Sequence, residues 1–106
     1  MYKLYIFCPD NPKIINKIIN TASDAGAGIM GNYSHCATIF KGVSQWKSEK
    51  GAHPTIGKVG TVSHVPEVKI EMLCPEEKAE KVKAAIKKVH PYEEPVIEFI
   101  KIEEIM

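Results

Sequence analysis

Tyr2-Lys3-Leu4-Tyr5-Ile6-Phe7-Cys8-Pro9 and Val68-Lys69-Ile70-Glu71-Met72-Leu73-Cys74-Pro75 state one pattern twice, and the repetition decides the fold. In each stretch alternate residues, Leu4, Ile6 and Cys8 or Val68, Ile70, Met72 and Cys74, fall on one side, which is the period of a strand with one buried face. A proline then ends the strand. After the first, Asp10 or Asn11 can cap a helix with Pro12 at its first position, and Ile14, Ile15, Ile18, Ile19, Ala22 and Ala25 form one apolar stripe before Gly26 stops it. After the second, Glu76 and Glu77 crowd a helix start, Ala79, Val82, Ile86 and Val89 make the stripe, and Lys87 and Lys88 occupy the last turn, the polarity that the helix dipole favours. A further strand follows each helix, from about Tyr33 to Val43 and from Val96 to Ile102.

The order βαββαβ predicts an α+β, ferredoxin-like domain: a four-stranded antiparallel sheet with both helices on one face. Its first and third strands run oppositely, so Cys8 and Cys74 lie at opposite ends and cannot bridge. The same geometry brings the turn after Cys8, the connection between the second and third strands, and the loop His90-Pro91-Tyr92-Glu93-Glu94-Pro95 to one edge of the sheet. On the uncovered face Tyr5, Phe7, Leu73, Ile97 and Phe99 are expected to leave an apolar patch, which predicts self-association.

The 106 residues, 44% of them hydrophobic, suit a single domain spanning 1–106. Fourteen basic against thirteen acidic residues give a net charge of +1, which is no footprint for nucleic acid. No segment has the length of a membrane span and the N-terminus has no leader pattern, so a cytoplasmic protein is expected. Three cysteines without a Cys-x-x-Cys spacing indicate reduced thiols rather than a disulfide framework or a zinc knuckle.

The loop from His90 to Pro95 concentrates an imidazole, a phenol and two carboxylates between two prolines that stiffen it. It reads as a cation site, or more blandly as a helix end with solvated glutamates. Gly26 to Gly31 fits G-x-G-x-x-G, but it follows a helix and leads into a strand, the reverse of a dinucleotide fingerprint. Ser44 to Gly60 is too long for a hairpin turn and is a second candidate region; Trp46 within it is expected to pack, and His53 either ligates or stays in solvent. Lys58 lacks the strand and helix of a phosphate loop. His35 and Cys36 are placed at the start of the second strand, on opposite faces, and His64 has no recognisable partner. Cys8 and His90 could act as thiol and base only if close enough, and the adjacent Glu93 and Glu94 are poorly arranged as an acid–base pair.

Gly26 to Cys36, Gly51-Ala52-His53-Pro54-Thr55-Ile56-Gly57, Glu67 to Glu71, and His90 to Pro95 together resemble the YqfO-like inserted domain of the Nif-three-like family. The resemblance covers nearly the whole chain. It implies a fold similar to the trimeric signalling protein PII and the cation-tolerance protein CutA. It also implies that the dinuclear metal domain of the larger proteins is absent, so that their hydrolase activity does not transfer. In PII-like trimers the corresponding loops border intersubunit clefts. Nucleotide-binding members place glycine and basic residues where this chain has Glu93 and Glu94, and two carboxylates repel a triphosphate. Val62-Ser63 and Pro66 depart from the pattern, Pro66 suggesting a bulge or an edge.

The expectation is a non-enzymatic, oligomeric binding protein, a trimer by analogy. Its clefts take up a divalent transition metal (zinc, copper or nickel) or a small ligand, in sensing or tolerance. The expected ligands are His90, Glu93 or Glu94, and His53, with Cys8 a weaker candidate. Two alternatives are a protein-interaction module that holds no ion, and an accessory of a metal-dependent hydrolase.

Overall fold

A computed structural model describes residues 1–104. Its elements are strand β1 (Tyr2–Pro9), helix α1 (Pro12–Ala25), strand β2 (Thr38–Lys47), strand β3 (Val62–Cys74), a 3-10 turn (Glu76–Lys78), helix α2 (Ala79–Val89) and strand β4 (Ile97–Lys101). They form one antiparallel sheet in the order β2-β3-β1-β4.

Asn11 starts α1: its Oδ1 accepts the Lys13 and Ile14 amides at 2.9 and 3.3 Å, satisfying two donors that the helix itself cannot. The buried faces of α1 and α2, chiefly Ile15, Ile18, Ala22, Val82 and Ile86, pack on Leu4, Ile6, Cys8, Val68, Ile70, Met72 and Cys74. This is the core that the double alternation predicts. Tyr2 pairs with Cys74 and Cys8 with Val68, so the two cysteines sit at opposite ends of the sheet, and all three cysteines are free.

Three expectations need correction. Ile97 and Phe99 lie opposite Ile6 and Leu4 in the ladder and pack against the core; cross-strand partners share a face, so the open face carries Glu98 and Ile100 instead. β2 begins at Thr38, after His35 and Cys36, because Tyr33 closes a tight bridge to Met30 and His35 takes φ 58°. β2 also runs on to Lys47 and pairs there with Val62, shortening the connection to 48–61. Pro66, by contrast, meets the edge that was the alternative to a bulge: it sits in regular register opposite Val43, and β1 ends before it. Its carbonyl points past the end of β1 to the Asp10 amide, so its missing N–H deprives β2 of no bond.

Candidate functional site

α2 ends at Val89 because Pro91 forces His90 into an extended conformation, ψ 135°. That turns the imidazole inward, where His90 is 8% exposed. Its Nε2 donates to the Phe7 carbonyl at 2.7 Å, and its Nδ1 accepts the Tyr92 amide at 3.1 Å. The proton is thereby fixed on Nε2 and neither nitrogen keeps a free lone pair for a metal. Burial holds the imidazole below its ordinary pKa, against the Phe7 bond and the charge of Glu67, which pull upward. His90 is a lock between bend and sheet, which corrects its expected place in a ligand set.

Tyr92 follows on the open face of the sheet, its ring tilted against His90 at 5.1 Å and against Trp46 at 5.7 Å. Its hydroxyl donates to Glu67 Oε2 at 2.7 Å, while Ser44 donates to Oε1 at 2.5 Å. Glu67 is only 6% exposed, so these two short bonds replace the water that a carboxylate requires. Burial, then the bond to this carboxylate and its charge, push the Tyr92 phenol far above its ordinary pKa. Glu67 went unrecognised as a site residue in the sequence. The available signal was its phase: it alternates with Lys69 and Glu71 onto the uncovered face, opposite Pro9 and Gly42, where no bulky neighbour prevents a ring from covering it.

The long connection returns to the same rim. The His53 amide donates to Glu93 Oε1 at 3.2 Å and the Thr55 hydroxyl to the Pro91 carbonyl at 2.7 Å. Between connection, bend and sheet lies a cavity of about 420 Å³, walled by Trp46, Tyr92, Phe7 and Ile56 and bordered by Glu67, Glu93, Glu94 and Glu98. The expected meeting of the two loops at one edge is present.

The four expected metal ligands do not converge. Glu93 and Glu94 line the cavity, His53 reaches Glu93 only through its backbone, and His90 is engaged on both nitrogens. Among the described residues no three His, Cys, Asp or Glu side chains are grouped to hold an ion. Cys8 is fully buried on the helix side, and burial, with Glu67 and Asp10, raises its thiol to about 12, so it supplies no thiolate near neutral pH. Lys58 and His64 are exposed and do not line the cavity. No described helix is long and apolar enough to cross a membrane.

No family model matches the chain. It is 43% identical over 95 residues to a Halalkalibacterium halodurans protein named GTP cyclohydrolase 1 type 2 homolog, covering 90% of this chain and 25% of that one. To a Listeria innocua protein of the same name it is 35% identical over 102 residues, 95% of this chain and 27% of that one. The chain thus spans about a quarter of the length of the curated relatives it matches. Among solved structures, a Bacillus cereus protein related to NIF3 superposes with a TM-score of 0.82 at 30% identity, over 97% of this chain and 26% of that one. CutA from Pyrococcus horikoshii superposes with a TM-score of 0.67 at 21% identity, over all of this chain and 88% of that one, and this second likeness is one of fold.

Proposed function

We propose, for a chain homologous to one segment of the NIF3-related proteins and sharing the CutA fold, a non-catalytic module that binds a small ligand in the cavity between its two rim loops. The observation carrying this reading is the pair of hydrogen bonds, His53 to Glu93 and Thr55 to Pro91, that tie two distant segments over a cavity of about 420 Å³ with an aromatic wall. That volume falls within the range of small-molecule sites, and a few fixed polar groups in an apolar lining are their usual composition.

Support for a binding rather than a catalytic role comes from the groups withdrawn from chemistry: the Cys8 thiol is buried and protonated, and His90 spends both nitrogens on the backbone. Glu93 and Glu94 remain at the mouth as oxygen ligands, so a divalent metal stays within the proposal as one of the ligands to be tried. Self-association belongs to it as well, since Phe40 and Ile100 on the open face are each nearly half exposed; a trimer is the form by analogy with PII. The three free cysteines suit a reducing compartment such as the cytoplasm.

Trp46, the single tryptophan, lies in the cavity wall and reports on it. Zn²⁺, Cu²⁺, Ni²⁺, ATP and a panel of small organic compounds are titrated by calorimetry and by tryptophan fluorescence. A binder is expected to change the fluorescence and to bind about tenfold more weakly to Trp46→Leu, the worth of one lost aromatic wall. If nothing in the panel binds, the chain is an interaction module in which the bend is only a structural lock.

A further inference from the structure

We infer that the ligand is an organic cation: an ammonium group carried on a flat or apolar body. This rests on the binding role proposed above and names its chemistry. The argument begins with the cavity wall. Trp46 and Tyr92 pack on each other with their rings at 60° and 5.7 Å apart, and both line the cavity, so one aromatic wall is presented to a ligand. The face of an indole or phenol ring attracts a cation and gives nothing to an anion.

Four carboxylates border this wall, those of Glu67, Glu93, Glu94 and Glu98, and among the described residues no lysine, arginine or histidine lines the cavity. Their charges are not already spent. Among the described residues none of the four makes an ion pair; Glu67 is held by two hydroxyls and Glu93 by one backbone amide, all neutral donors. The charge around the cavity is negative, screened by solvent at the open mouth where Glu93, Glu94 and Glu98 are exposed and least screened at the buried Glu67.

The alternatives fit less well. A phosphate-bearing ligand meets four carboxylates with no counter-charge. A bare transition metal needs several donors converging within about 2.0–2.3 Å, and no such group exists among the described residues. An ammonium demands no coordination geometry; it needs the charge and the ring faces that are present, and the apolar walls at Ile56, Pro54 and Val96 suit the carbon body that carries it.

The test uses three probes of one size and shape that differ in charge: phenethylammonium, 2-phenylethanol and phenylacetate, titrated into the full chain by calorimetry at low and moderate salt. Phenethylammonium is expected to bind at least about tenfold more tightly than the alcohol, and more weakly as salt rises; phenylacetate is expected not to bind. A double variant, Glu94→Gln with Glu98→Gln, is expected to weaken the ammonium about five- to tenfold and leave the alcohol unchanged; both residues are exposed, and an unshifted melting curve confirms that the fold is kept. Equal binding of ammonium and alcohol, or any preference for phenylacetate, overturns the inference while the binding role stands. If the three probes fail and ATP or a metal ion binds, the cationic class again falls alone. If no probe of either panel binds, both fall.

Discussion

At the scale of single residues the bend is governed by one proton. The His90 imidazole gives its Nε2 hydrogen to Phe7 and receives the Tyr92 amide on Nδ1; a second proton on Nδ1 turns that acceptor into a donor facing a donor. Burial holds the folded pKa below the ordinary value of about 6.5. The unfolded chain therefore takes up the proton first, so the stability due to His90 is intact above about pH 6.5 and is lost as the pH falls below it. The unfolding midpoint in urea is expected to drop between pH 7.5 and 5.5, and to drop less in His90→Gln; the other three histidines are exposed and common to both proteins. Parallel losses in the two proteins would remove His90 as the cause. The stiff bend was legible in the sequence, since two prolines bracket its polar groups, and so was its meeting with the long connection at one rim. Its roles were not. Whether an imidazole before a proline faces a metal or a carbonyl depends on Phe7, which lies far away in sequence, and Glu67 acquires its meaning only when Ser44 and Tyr92 are folded onto it.

At the scale of elements, alternation and capping suffice wherever one face is buried. β1, β3 and both helices are legible because each has a core side that its residues must respect. β2 is not: it is an edge strand whose partner is β3 alone from Thr38 to Lys47, it has little to bury, and its polar run Ser44-Gln45 reads as loop although it pairs. The turn before β2 is fixed by close packing instead. The Gly28 amide donates to Leu73 O at 2.7 Å, and its carbonyl accepts the Cys36 amide at 2.9 Å. A Cβ there would stand 2.6 Å from the Met72 methyl and 2.9 Å from the Cys36 carbonyl, at φ +69°. Gly28→Ala is expected to cost about 2–4 kcal/mol, the sum of left-handed strain and overpacking. Gly31, at φ +56° with nothing within 4 Å, serves as the comparison, and its alanine variant is expected to cost about 1–2 kcal/mol for the backbone alone. Equal losses in urea unfolding would show that the contact with β3 contributes nothing.

At the scale of the molecule, the shape is longer than a closed domain allows. The radius of gyration is 14.7 Å and the extents are 49 × 24 × 23 Å, whereas a compact chain of this length has a radius of about 13 Å. The excess is the arm made by the end of β2 and the start of β3, which pair with each other beyond the end of β1. A two-stranded ribbon is marginal by itself in water, and this one leaves Val43 76% and Val62 51% exposed. The open face of the sheet adds Phe40 and Ile100, with Lys69 folded over the Tyr5 and Phe40 rings at 4.8 and 5.0 Å. Two exposed apolar surfaces on one small chain are the kind that further copies cover in an oligomer, which makes self-association the outcome to test. Sedimentation at tens of micromolar is accordingly expected to give a multiple of the 11.8 kDa chain mass. Ile100→Glu, which places a charge on the open face without touching the core or the cavity, is expected to shift the equilibrium towards the single chain, and Val43→Asp to do the same from the arm. The two variants separate the surfaces: a shift with only one of them assigns the contact to that surface, and a wild-type protein that sediments as a single chain shows that both surfaces remain in water.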